Sequence, residues 1–224
     1  LTREILVDNL MIWALAAAVA APAMGSNFLD RPTFESAASS AGIALSTESF
    51  EEFDLDPMSA ARSEAVADNF TLSAVNEGFA FLDPLAILGP TGPGGTFATD
   101  GSQHVNVGSL FSSAQNNDVV LSFSFDSPRF AFFLDLADLN GLDQAPSPRA
   151  ILSSDAGDSL TIFEGQGQDL FTVGFINTAG FTEVTLRATA GDSFGVDAVT
   201  TGIPAPGSMA LLGGVGVASM RRKC

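Results

Sequence analysis

Beyond residue 70 apolar and polar side chains alternate with a period of two. Leu121, Phe123 and Phe125 alternate with Ser122 and Ser124, and Phe130, Phe132, Leu134 and Leu136 alternate with Ala131, Phe133 and Asp135. Val184 and Leu186 alternate in the same way with Thr185 and Arg187. Successive side chains of a strand point to opposite faces, so the pattern predicts strands with one apolar face each. Further short runs at 78–82, 103–107, 149–152, 159–163, 170–176 and 194–200 are separated by Gly, Asn, Asp and Pro. No long amphipathic helix lies between them, which argues against parallel βαβ units. The expectation is an all-β fold: an antiparallel β-sandwich, jelly-roll-like in topology, with most of the phenylalanines in its core.

Upstream the period changes. Phe34, Ala37, Ala38 and Ala41 fall at i, i+3, i+4 and i+7, with Pro32 where a first helical turn tolerates it, and predict one short N-terminal helix. Residues 43–53 read as an edge strand with an acidic face, and 54–69 as loop with at most a helical turn.

The two ends differ from this middle. Arg3 precedes the apolar run Met11–Ala20, which is too short for a comfortable membrane span, and small residues follow at Ala21, Ala23 and Gly25. Residues 1–25 therefore read as a signal peptide removed by signal peptidase. At the other end Ile203-Pro204-Ala205-Pro206 leads into the apolar run Gly207–Met220 and then Arg221, Arg222 and Lys223. This is a rigid extended marker, a short apolar helix able to enter a membrane, and a basic stop on its cytoplasmic side.

The division is thus 1–25, an acidic domain at 26–202, and a tail at 203–224. Of 26 acidic and nine basic residues, the domain keeps 24 acidic and five basic, a net charge of −19. A surface of that sign repels phosphate backbones, so no nucleic acid is expected as a partner. One His and one Cys remove multi-His zinc sites, Cys-rich metal modules and any intrachain disulfide.

The ordered combination of marker, apolar helix and basic tail resembles the PEP-CTERM sorting signal of Gram-negative bacteria that make exopolysaccharide. Ala205 departs from the family's commonest motif, which has Glu between the prolines. The resemblance implies that Pro204, Ala205 and Pro206 form the sorting and processing motif and that Arg221, Arg222 and Lys223 form the stop. It also implies a partner, an exosortase, which is an integral-membrane, cysteine-dependent processing enzyme. On this reading the chain is an exported, non-enzymatic protein of the cell surface or extracellular matrix, associated with extracellular polysaccharide and only transiently anchored through its C-terminal helix. The middle resembles the β-sandwich ectodomains found ahead of such signals, on Ala98–Gly101, the strand pair 119–125 and 130–136 joined by Asp126-Ser127-Pro128, and the closing segments 181–186 and 192–197. That resemblance implies a sandwich and no particular activity.

Four oxygen-bearing side chains, Asp135, Asp138, Asn140 and Asp143, fall within nine residues around a Gly turn. Calcium takes six to eight oxygens from such loops. The spacing fails the EF-hand pattern, since the twelfth position from Asp135 is Pro146, and a solvated polar turn accounts for the same residues. A calcium-dependent carbohydrate-binding module is the alternative function. Asp197, expected on the same face as Gly195 and Val199, approaches the core and needs backbone donors or a metal there. His104, the sole imidazole, reads as an exposed strand residue; no Gly-x-Ser-x-Gly elbow accompanies it. The only Trp is Trp13 and there is no Tyr, so the usual sugar-stacking residues are missing from the domain.

Overall fold

Two strands of 19 residues each, β7 (Val119–Ala137) and β10 (Leu170–Ala188), run antiparallel along most of their length and organise the fold. The computed structural model describes residues 25–56, 62–76, 85–91, 97–107, 119–137, 150–162, 170–188 and 194–206. The remaining strands are β1 (Ser26–Phe28), β2 (Ile43–Glu48), β3 (Glu64–Val66), β4 (Thr71–Asn76), β5 (Leu85–Leu88), β6 (His104–Val107), β8 (Ala150–Ser154), β9 (Ser159–Ile162) and β11 (Phe194–Pro204). The helix, α1, spans Arg31–Ser40. The run at 78–82 lies outside the described residues.

Both long strands serve two leaves of an antiparallel β-sandwich. The second half of β7 and the first half of β10 form one leaf with β1, β11, β6 and β5, while β2 pairs the far end of β11. The other halves form the second leaf with β4, β3, β8 and β9. The change of leaf falls where the β7–β10 register shifts, between Ile176 and Glu183. Asp126-Ser127-Pro128, which the sequence presents as the turn between two strands, is an exposed bend inside one strand. Pro128 costs no ladder bond there because the pairing is already interrupted. In β10 Gly180 has φ +80° and lies against Phe130. Asn177, buried beside it, accepts from the Ala179 N–H at 2.8 Å and donates to Asp158 at 2.8 Å.

Between the leaves, phenylalanine rings form a connected chain. Phe70 meets Phe123 at 5.6 Å between centroids, Phe123 meets Phe132 at 5.0 Å, Phe132 meets Phe175 at 6.0 Å and Phe175 meets Phe181 at 5.2 Å. Phe132 and Phe175 are stacked and the other three pairs meet edge-on; each such pair adds about 0.5–1.5 kcal/mol beyond the burial of its rings.

The helix covers the outer face of the first leaf. Asp30 caps it by accepting the Thr33 N–H at 2.9 Å, and Pro32 stands in its first turn. Phe34 and Ala38 pack on Ala131, Phe133 and Ile176, with Phe34 stacked on Phe133 at 4.7 Å. The second half of β7 is therefore buried on both faces. Four strands were not legible in the sequence: β1 ahead of the helix, β3 within the expected loop, and β4 and β5 after it.

Candidate functional site

The Pro-Ala-Pro run begins at the last residue of β11, Pro204. From Val199 to Pro204, β11 pairs with Glu48 to Ile43 of β2, so the strand runs past residue 202, where the composition changes. Its other edge pairs with β7 only as far as Gly202, opposite Ala131. Beyond that, Ile203 is exposed, Pro204 and Ala205 are half-buried and Pro206 is exposed. Neither proline has an N–H. Ala205 supplies the marker's one donor, and it bonds the Gly42 carbonyl at 2.7 Å.

A polar cluster lies beside the marker on the helix-covered face. Asp135 of β7 and Asp197 of β11 are register partners, so their side chains share that face. Arg31, at the first turn of α1, stacks its guanidinium over Phe133 at 5.0 Å and donates to Asp135 Oδ1 at 3.0 Å, the Ala198 carbonyl at 3.1 Å and Thr200 Oγ1 at 2.9 Å. Thr200 in turn shares a hydrogen bond of 2.8 Å with Thr47 of β2. Asp197 accepts the backbone N–H groups of Thr99 (2.6 Å), Asp100 (2.8 Å) and Ala198 (2.7 Å). The Thr99 hydroxyl lies within reach of both carboxylates, 2.9 Å from Asp135 and 3.2 Å from Asp197. Asp197 is 1% exposed, and burial pushes its carboxyl up to about 6 although the three amides oppose the shift.

The bulge at Ala198 makes this arrangement. Its φ of +47° inserts one residue between the pairs Asp197–Asp135 and Thr200–Phe133. Asp197 consequently shares its face with Gly195, as the alternation predicts, while Val199 turns into the core with Val196. Backbone donors meet the carboxylate, one of the two solutions the sequence leaves open.

His104 is corrected: it is fully buried, not exposed. Its strand is covered on the outer side, its Nδ1 lies 2.9 Å from the Gly89 carbonyl, and burial lowers its pKa. The sequence carries no sign of this, because the covering segment around residue 89 is distant and rich in Gly and Pro.

No family model and no curated protein matches the chain. Among solved structures it is similar to the K2 cleaved adhesin domain of Lys-gingipain, at 18% identity over 70% of this chain and 99% of that one, with a TM-score of 0.45. It is also similar to the K1 cleaved adhesin domain of Lys-gingipain from Porphyromonas gingivalis, at 13% identity over 70% and 97% of the two chains and a TM-score of 0.40. A mutant family 29 carbohydrate-binding module gives 6% identity, coverage of 71% and 92%, and a TM-score of 0.35.

Of the four oxygen-bearing residues proposed for calcium, Asp135 is held by Arg31 and Thr99, and Asp138, Asn140 and Asp143 lie outside the described residues. Among the described residues no group of three or more His, Cys, Asp and Glu could hold a metal ion. Other acids also accept backbone amides: Glu51 from Ser102 and Gln103, Asp56 from Ile87, and Asp155 from Thr182. A carboxylate accepts several N–H bonds without needing a basic partner, which suits a domain with five basic residues. Among the described residues no helix is long and apolar enough to cross a membrane, and Arg221, Arg222, Lys223 and the apolar run before them lie outside that set.

Proposed function

We propose that this chain is an exported, non-enzymatic protein of the bacterial surface or extracellular matrix. Residues 1–25 direct export, and the tail from residue 203 hands the folded domain to an exosortase-type membrane enzyme. The observation that carries the reading is the position of Pro204-Ala205-Pro206. Pro204 is the last residue of β11 and Ala205 is bonded just beyond it, which supports a sorting segment that follows directly on the last strand of the sandwich.

The net charge of −19 supports a soluble passenger that does not adsorb to anionic lipid by itself. The sole histidine is enclosed and bonded to a backbone carbonyl, which supports a structural role over activation of a nucleophile. Association with neutral extracellular polysaccharide is part of the same reading.

Removing residues 207–224 tests it, because this truncation leaves every described hydrogen bond in place. The truncated protein is expected to melt like the full domain and to appear in the periplasm or medium. Unchanged surface attachment of a folded truncation would refute the sorting role.

A further inference from the structure

The marker is fixed to the folded domain on one side and exposed on the other, and this division bears on where a processing enzyme can act. Thr200, Thr201 and Gly202 lie between β7 and β2 with partners on both edges. Ile203 and Pro204 keep only the β2 edge, opposite Ala44 and Ile43. The Ala205 N–H then closes the series on Gly42.

Gly42 is itself constrained. It follows α1 with φ +68°, and its own N–H donates to the Ser39 carbonyl at 3.0 Å, so its carbonyl is aimed by the end of the helix. The close approach of β2 and β11 is built in as well. A Cβ on Gly202 would stand 2.4 Å from Ile43 Cγ2 and 2.8 Å from Ala131 Cβ.

A protease binds its substrate as an extended strand and needs the backbone groups on both sides of the scissile bond. Along the β2 edge those groups are engaged through Ala205, and drawing this backbone into a protease cleft requires local opening of the β2–β11 edge. We propose that the fold sets the processing site: the bond cut lies C-terminal to Pro206, and the processed chain keeps Pro204-Ala205-Pro206 docked at the end of β11. This rests on the sorting reading above and refines it.

In the step itself the enzyme's cysteine thiolate adds to the carbonyl carbon. The C–N bond breaks as the amine of the departing tail takes a proton. Water then resolves the thioester to a carboxylate and returns the thiol. The domain contributes no reacting group; its strand pairing limits which carbonyl can be reached.

Two measurements test the proposal. In the first, full-length protein is trimmed by a broad-specificity serine protease and the new C-termini are read by mass. The wild type is expected to accumulate ends at Pro206 or later. Ile203–Pro204 and Ala205–Pro206 resist such enzymes in any conformation, so the deciding bonds are Gly202–Ile203 and Pro204–Ala205, and cutting there as fast as in the tail overturns the proposal. Gly42→Val puts a β-branched residue in the left-handed region and misaims the carbonyl. Cutting within 203–205 is expected to rise about tenfold. A folded variant without that rise also counts against it.

In the second, protein recovered from the envelope of the cells that make it is mapped at its C-terminus, which needs no variant. An end at Pro206 or later is expected. An end at Ala205 or earlier overturns this inference while leaving sorting intact; an uncut chain overturns the sorting reading itself.

Discussion

The two faces of the first leaf are both buried, and they are buried by different means. The inner face carries Phe132, Leu134, Leu136, Val173, Phe175 and Val196, packed against the second leaf without a charge among them. The outer face carries Ala131, Phe133 and Ile176 under the helix, then Asp135 further along β7 with Asp197 and Asn106 on the neighbouring β11 and β6. Water is excluded from both; the outer face satisfies its two aspartates with loop amides and one arginine, whereas on the inner side one buried carboxylate, Glu48 opposite Val199, accepts the Phe50 N–H at the margin of the core. The contrast shows what a few of the domain's carboxylates do. Asp197 binds the segment at 99–100 onto the sheet and Glu51 ties 102–103 to the segment around residue 50, which itself is packed into the inner core through Phe50.

The inner face sets the upper limit of the comparison. Phe132→Ala removes a ring touching Phe123, Phe125 and Phe175 and leaves a cavity between two stiff leaves. A loss of about 4 kcal/mol is expected by denaturant titration. A loss under about 1 kcal/mol would mean that the leaves do not pack through this ring.

Asp197→Ala should come next, at about 3 kcal/mol, because three backbone N–H groups lose their acceptor at once. Amide exchange at Thr99 and Asp100 should accelerate, with the inner-face amides of β7 keeping their protection relative to global stability. Uniform loss of protection would erase the distinction between the faces.

The same residue gives the comparison a pH signature. In the fold the Asp197 carboxyl holds its proton up to about 6, while in the unfolded chain it releases it near 3.8. The native state therefore binds more protons between those values, and stability falls as pH rises through that window. The full penalty is in place above about pH 6, of order 3 kcal/mol by linkage. Glu48, also raised chiefly by burial, shifts stability in the same direction. Asp30, Glu51 and Asp155 are lowered and act oppositely, losing stability as pH falls through their folded values. The wild type should thus lose the 4-to-6 decline when Asp197 is replaced by Asn; a persistent decline would assign it elsewhere.

Thr47→Val is the smallest test, at about 1 kcal/mol, since it removes one hydroxyl partner of Thr200 at the margin of the cluster. Its effect should vanish in Arg31→Ala if the hydroxyls matter mainly by positioning the guanidinium.

How much of this could be read from the sequence follows the same division between faces. The inner face declares itself through alternation: Leu121-Phe123-Phe125 are visible because Ser122 and Ser124 separate them, and Leu134-Leu136 because Asp135 does. Helix α1 is legible through Asp30, Pro32 and the spacing of Phe34, Ala37 and Ala38. On the outer face the signals fail for identifiable reasons. Phe133 breaks the alternation because the helix buries it as well. Leu85-Ala86-Ile87-Leu88 of β5 has no period at all, being buried throughout. Val199 points inward only because Ala198 takes a left-handed conformation that nothing in an alanine announces. The Pro-Ala-Pro run stands out in composition, but the attachment of Pro204 to β2 depends on pairing between residues some 160 positions apart, which local pattern does not encode.

The most direct test of the sorting account uses two epitopes on one chain, one before Ser26 at the start of the domain and preserved after signal removal, the other after Cys224. In cells with an exosortase-type enzyme, the account predicts surface or matrix protein that carries the domain epitope and has lost the terminal one. Surface protein that still carries both epitopes would contradict it.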